Sequence, residues 1–227
     1  MTTHERLFSL ISPLNHPLNQ RVRRILFGLN PRRLLDVGGR RSTYTIGLRE
    51  VVISDLPREA KVQHDLDLGA TDELRDKVLS RRSNVSAYIY DDMTDTKINP
   101  GSFDAVNATE VLEHVEEDEK FVANVARILK PGGHFVMSTP NGDYRPVPYR
   151  DHKRHYKLTE LQALLRRHFS EVVVFYCVND GMLFRLGYKG GRIFGMIGYA
   201  LSNVLERLGF GGEGPMGKHH LFAVCKK

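Results

Sequence analysis

Acidic residues follow three short apolar runs at equivalent places in this chain: Asp36 after Leu34-Leu35, Asp55 after Val52-Ile53-Ser54, and Asp91 and Asp92 after Tyr88-Ile89-Tyr90. A carboxylate at the end of a buried run can accept several hydrogen bonds or meet a positive charge. Asp36 leads into Gly38-Gly39-Arg40-Arg41, a glycine turn that opens a helix and lets a ligand approach the backbone. The glycines are adjacent and the third of a dinucleotide fingerprint is missing, so the carboxylate suits a cationic group such as an amino-acid ammonium better than a pyrophosphate. Asp55 stands about 20 residues further on, where an acidic residue grips the two hydroxyls of a ribose. Preceding Leu56-Pro57, it fits a plain turn equally well. Asp91 and Asp92 are placed to reach an adenine amino group, with His64-Asp65-Leu66-Asp67 as a competing segment; Asp92 ranks higher because its strand is the better formed.

Two histidine groups offer proton-transfer chemistry. His114 ends the run Glu110-Val111-Leu112-Glu113-His114, and Asp151-His152-Lys153-Arg154-His155-Tyr156 follows a loop that begins at Thr139. An imidazole titrates near neutral pH, which makes His152 or His155 a reasonable general base. A solvated basic loop capping a helix from Thr159 is an equal reading, and a metal held by His152 and His155 finds no third ligand in register.

These side chains meet only if a sheet brings the run ends together. Strands are expected at residues 33–37, 51–54, 85–90, 103–107 and 135–138. A helix over 16–29 precedes them, with Leu18, Val22, Ile25, Leu26 and Leu29 on one face, a Pro17 start and a stop before Pro31. Another helical stretch runs from Val111 to Leu129 and is closed by Pro131-Gly132-Gly133. Strands alternating with helices argue an α/β fold whose parallel sheet is covered on both faces, with ligands at the carboxyl strand ends where strand order reverses.

The segments Leu34-Leu35-Asp36-Val37-Gly38-Gly39, Ile53-Ser54-Asp55, Tyr90-Asp91-Asp92-Met93, Gly101-Ser102-Phe103-Asp104-Ala105-Val106, Thr109-Glu110-Val111-Leu112-Glu113-His114-Val115 and Leu129-Lys130-Pro131-Gly132-Gly133-His134-Phe135 follow in order. Together, over residues 30–175, they resemble the class I S-adenosylmethionine-dependent methyltransferases, of the broad group with ubiquinone-type and glycan O-methyltransferases. The resemblance implies a Rossmann-like seven-stranded, mostly parallel sheet with helices on both faces and an antiparallel last strand. S-adenosyl-L-methionine would lie across the ends of the first four strands. It implies Asp36, Gly38 and Gly39 for the methionine portion, Asp55 for the ribose, Asp92 with Met93 for the adenine, and Asn107 with Ala108 for the middle. His114 would be a hydrogen-bonded wall of the pocket. The chain departs from the family where Arg40-Arg41-Ser42 replace the third glycine. Those arginines face solvent in the simpler reading and meet the methionine carboxylate in the other. The family's final hairpin falls at residues 171–178 and 219–225. One domain over 1–227 is thus expected, with a helical extension at 1–30, a core at 31–180, an amphipathic insertion at 181–218 and a last strand at 219–227.

At 227 residues and 41% hydrophobic content, the chain can bury one sizeable core. The net charge of +6 favours anionic partners in general. Nucleic acid is disfavoured: Arg21-Val22-Arg23-Arg24, Arg32-Arg33, Arg81-Arg82 and Arg166-Arg167 are scattered groups that read as solvated faces without aromatic interleaving, and Asn107-Ala108-Thr109-Glu110 replaces the Asn/Asp-Pro-Pro-aromatic motif of base-amino methyltransferases. Cys177 and Cys225 match no metal or disulfide spacing and read as reduced, packed thiols. With no targeting segment in sight, a cytoplasmic protein is expected. Between Ile193 and Leu208 an apolar helical stripe reads first as core or homodimer surface, with peripheral membrane contact through 182–208 as the alternative. The expected function is S-adenosylmethionine-dependent methylation, on oxygen, of a small-molecule, glycan or lipid-linked acceptor. Nucleic-acid methylation or binding, and a non-catalytic protein of the same fold, stand as alternatives.

Overall fold

The computed structural model of the chain describes residues 3–11, 15–58, 69–149, 151–179, 191–208 and 213–227. The competing segment His64-Asp65-Leu66-Asp67 and the start of the expected insertion, 181–190, lie outside the described residues. After α1 (Thr3–Ile11), α2 (Pro17–Leu29) buries Leu18, Val22 and Leu26, which recur at helical spacing. His16 Nδ1 accepts the Leu18 N–H at its start, and Asn30, with φ 47°, ends it before Pro31.

Seven strands follow: β1 (Arg33–Val37), β2 (Glu50–Asp55), β3 (Val85–Tyr90), β4 (Phe103–Thr109), β5 (Leu129–Pro140), β6 (Glu171–Asn179) and β7 (Lys218–Lys226). Their order is β3-β2-β1-β4-β5-β7-β6. Every pair from β3 across to β5 is parallel, and β7 alone runs antiparallel to its neighbours β5 and β6. This is the Rossmann-like α/β sheet that the motifs imply. The remaining helices are α3 (Asp72–Arg81), α4 (Asp118–Ile128), α5 (Leu158–Arg166) and α6 (Gly191–Arg207).

Alternation along β1 builds the two faces. Leu34 packs with Leu18, Val22 and Leu26 of α2, whereas Leu35 joins Phe121, Val122 and Val125 of α4 and Leu161 and Leu165 of α5. At the opposite end from the candidate site, Asp104 ties three strands together: its carboxylate accepts the Arg33 N–H at 2.8 Å and the Lys130 Nζ at 2.7 Å.

Four local expectations are corrected. The glycine turn opens a single 3-10 turn, Gly39–Arg41, and no α-helix follows before β2. The stretch expected as one helix from Val111 splits into a 3-10 turn, Leu112–His114, and α4; Pro131-Gly132-Gly133 belongs to β5, where Gly132 takes φ 73° at an irregular start of the strand. Arg82 is no solvated surface charge: it is buried and hydrogen-bonds the Ser42 carbonyl and the Thr45 hydroxyl. Finally, the apolar stripe of α6 is not core but faces outward, which contradicts only the first half of the core-or-homodimer reading. Phe194, Ile197, Leu201, Val204 and Leu208 are exposed, and the buried side carries Gly195, Gly198, Ser202 and Asn203. Asn203 Nδ2 reaches the Asn15 carbonyl, and Glu206 pairs with Arg21 of α2 at 3.0 Å. The helix packs by its small and polar face because that face holds the hydrogen-bonding partners.

Candidate active site

Strand order reverses between β1 and β4, and beyond their carboxyl ends lies a cavity of about 700 Å³. Gly38, Asp55, Asp92, Met93 and His114 line it, and so do Asp91 and Glu110. Gly38 takes a left-handed φ of 69° and its N–H donates to the Ser54 carbonyl, turning the chain across the cavity mouth. Asp55 ends β2 with its carboxylate 3.7 Å from Arg40 Nη1 and 3.3 Å from the Tyr88 hydroxyl. Burial raises this carboxyl above its ordinary value, and the Arg40 charge opposes the rise. Arg40 is therefore a largely enclosed partner of Asp55, contrary to the solvent-facing reading of both arginines; Arg41 stays exposed while bordering the same cavity.

At the end of β3 the two acids divide the work. Asp92 Oδ1 accepts from the Thr94 N–H and hydroxyl, both at 2.8 Å, and so fixes its own turn. Asp91 Oδ2 is buried beside the cavity and has no hydrogen-bond partner. A buried acceptor left unmet costs about 1–3 kcal/mol, which a donor on a bound molecule would recover.

Asp36, Gly39, Asn107 and Ala108 lie beneath this floor and do not line the cavity. Asp36 is fully buried and accepts hydrogen bonds from Ser42, Asn107 and Thr45, with Arg82 close behind. Burial still carries its carboxyl above the ordinary range despite those donors. Asn107 also meets the Tyr44 hydroxyl and the Thr109 hydroxyl. A Cβ at Gly39 would sit 2.6 Å from the Asp36 carboxylate, so that glycine serves the close approach of turn to strand.

The histidines of the 151–156 loop do not line the cavity themselves; the His152 ring packs edge-on against that of His114, which does, at 4.8 Å. The Lys153 N–H donates to the Glu113 carbonyl at 2.7 Å, tethering the loop to the 3-10 turn that carries His114. A second tether is the Gly142 N–H to the Tyr156 carbonyl at 2.8 Å. His155 is buried, with Nδ1 2.7 Å from the Arg145 carbonyl and Nε2 2.9 Å from His152 Nδ1. The carbonyl can only accept, so Nδ1 carries the His155 proton, Nε2 of the neutral ring accepts, and His152 Nδ1 donates to it. The lone pair of His152 is then left on Nε2. Burial and the neighbouring His114 and His155 lower the pKa of His152, which favours that neutral ring.

Sequence spacing did not reveal what surrounds this pair. Glu113, His114 and His152 bring a potential ligand atom each to within 4.8 Å of one another. His155, expected as the second member with His152, instead orients it from behind. Glu110, with a strained φ of 56°, accepts from the Ser138 hydroxyl at 2.7 Å and lies 3.2 Å from His220 Nδ1. The acids were visible in the motif containing His114, but their convergence with a loop some 40 residues away depends on tertiary structure.

A methyltransferase-domain family model matches residues 35–137. A ubiquinone biosynthesis O-methyltransferase of Pectobacterium carotovorum is 28% identical over 116 residues, 50% of this chain and 45% of that protein. The chain thus spans less than half the length of this curated relative. Among solved structures, a SAM-dependent methyltransferase from Archaeoglobus fulgidus aligns with a TM-score of 0.61 at 15% identity, covering 92% of each chain. The 1,6-didemethyltoxoflavin-N1-methyltransferase of Burkholderia thailandensis, solved with S-adenosylhomocysteine, aligns with a TM-score of 0.58 at 18% identity over 92% of this chain and 78% of its own. Residues 35–137 are thus similar to a methyltransferase domain, and the strand order, the glycine turn and the acids at the ends of β2 and β3 agree with the fold of the S-adenosylmethionine-dependent methyltransferases that the chain resembles.

Proposed function

We propose that the protein binds S-adenosyl-L-methionine in the strand-end cavity and methylates an oxygen of a small, lipid-linked acceptor. The observation that carries the cofactor assignment is the pairing of Asp55 with the unpartnered Asp91 Oδ2 around one 700 Å³ cavity. Asp55 accepts from the two hydroxyls of a ribose, with Arg40 holding its charge. Asp91 takes the amino group of an adenine, with Asp92 shaping the turn and Met93 supplying an apolar wall. Asp36, Gly39, Asn107 and Ala108 keep the floor in place from below. When bound, the cofactor supplies a methyl group made electrophilic by the adjacent sulfonium charge. The chain's task is then orientation, exclusion of water and removal of the acceptor's proton. That proton is assigned to His152, which packs against His114 beside the cavity and whose ring is fixed by His155.

The acceptor class is supported by α6. Five exposed apolar side chains in helical register suit a hydrocarbon phase better than water, and the described residues contain no helix long and apolar enough to cross a membrane. A lipid-linked acceptor would be met at such a surface. Calorimetric titration with S-adenosylmethionine tests the cofactor assignment. The native protein is expected to bind one equivalent, and Asp55→Ala to weaken binding by about 10- to 100-fold, as the loss of charge-assisted hydrogen bonds requires. Absence of binding to the native protein would overturn it.

A further inference from the structure

We infer that Arg82 is a positioning residue for the cofactor: it holds the turn after β1 in place of the helix which that turn lacks, and so sets Gly38, Arg40 and Arg41 at the cavity. The inference rests on the cofactor reading above. Between the 3-10 turn and β2, residues 42–49 run through turns and bends without a helix, so their carbonyls need donors from elsewhere. The link between α3 and β3 supplies them. Arg82 Nη1 donates to the Ser42 carbonyl at 2.9 Å and Nη2 to the Thr45 hydroxyl, while Asn84 Nδ2 donates to the Thr45 carbonyl at 2.8 Å. From α2, Arg23 donates to the Ile46 carbonyl at 2.7 Å.

Arg82 is 5% exposed, and a guanidinium so enclosed is costly unless it is paired. Burial lowers its pKa, and the charges of Asp36 and Glu5 oppose that fall. Both acids are themselves buried: Asp36 lies beneath the cavity floor, and Glu5, on α1, accepts from the Ser83 N–H at 2.9 Å. The place is therefore built for a cation. The planar fork of an arginine reaches two acceptors at once there, where an ammonium would be a single point of charge. Both acceptors lead to the cavity. The Ser42 hydroxyl lies between the Asp36 carboxylate and the Gly39 carbonyl, and the Thr45 hydroxyl, which accepts from Arg82, donates to Asp36 at 3.4 Å. Gly39 opens the 3-10 turn whose Arg40 stands 3.7 Å from Asp55. Arg82 does not line the cavity, so it acts on the ribose end through this turn.

Calorimetric titration of the full chain with S-adenosylmethionine, at a temperature where circular dichroism shows each variant folded, tests the inference. Arg82→Gln is expected to weaken binding by about 10-fold, the worth of one charge-assisted hydrogen bond, and Thr45→Val by about 3-fold. Arg82→Lys, which keeps the charge but not the fork, is expected to recover part of the Arg82→Gln loss. Asp104→Asn, which loosens the opposite end of the sheet, is expected to bind as the native protein does. Native affinity in Arg82→Gln would overturn the inference. So would a loss in Asp104→Asn as large as that in Arg82→Gln, because the effect would then be one of general stability. If Arg82→Gln fails to fold, Thr45→Val decides, and native affinity there overturns the inference. A native protein that does not bind S-adenosylmethionine overturns the cofactor reading and the inference with it, whereas native binding that the variants share overturns the inference alone.

Discussion

At the scale of single residues, the chain separates side chains that face the cavity from those that hold it. Asp36 and Asp55 both end strands and both invite a ligand role, yet Asp36 is surrounded by Ser42, Thr45 and Asn107, and Asp55 borders open space. Sequence position locates a carboxylate at a strand end but not the side of the turn on which it lies. Gly39 decides that, because its bare backbone covers Asp36. Gly39→Ala forces a Cβ to 2.6 Å from the Asp36 carboxylate. It is expected to cost roughly 1–3 kcal/mol by overpacking, read as a lowered thermal midpoint. An unchanged midpoint would show that the turn is slack. The thiols behave as the composition implied: Cys177 and Cys225 are buried and free, and burial pushes Cys225 up to about 12.

Elements carry the next level. Strand identities were legible because apolar runs of strand length are bounded by turn residues, and the antiparallel placement of β7 came with the family resemblance. Less legible were the short 3-10 turns and α3, which buries no residue and so leaves little periodic signal. Register at the amino ends depends on Asp104, whose clamp on Arg33 and Lys130 links β1, β4 and β5. Burial works to raise its carboxyl, but the Lys130 and Arg33 hydrogen bonds outweigh it and hold the value below the ordinary 3.8. The linked stability is present above pH 3.8 and is lost as pH falls through the lowered folded value. Because the pair is partly exposed, Asp104→Asn is expected to cost about 0.5–1 kcal/mol at pH 7. In denaturant titrations the gap between the two proteins should close as pH falls through the lowered folded value; a gap independent of pH would refute the electrostatic clamp. Gly142 sets the position of the histidine loop in the same way: a Cβ there would meet the His155 carbonyl at 2.5 Å. Gly142→Ala should displace His152 and His155 while leaving the β1–β4 core packed.

For the whole molecule, the net charge of +6 says less than its distribution. Arg21 is paired with Glu206, Arg23 lies over the Phe27 ring, and Arg82 is buried, so several of the basic residues serve the fold itself. The outward stripe of α6 is the more informative surface. Leu201→Glu is expected to abolish co-sedimentation with phospholipid vesicles while changing stability by no more than about 0.5 kcal/mol. A large loss of stability would mean that the stripe is covered within the protein, and a concentration-dependent dimer abolished by the same change would assign it to a second copy of the chain. The sheet, the cavity and this surface together make one claim: the strand ends of β1 to β4 hold S-adenosylmethionine. A crystal structure with S-adenosylhomocysteine tests it most directly. The ribose hydroxyls are expected within hydrogen-bonding distance of Asp55 and the adenine amino group beside Asp91; a ligand bound elsewhere, or saturating ligand that leaves this cavity empty, would contradict it.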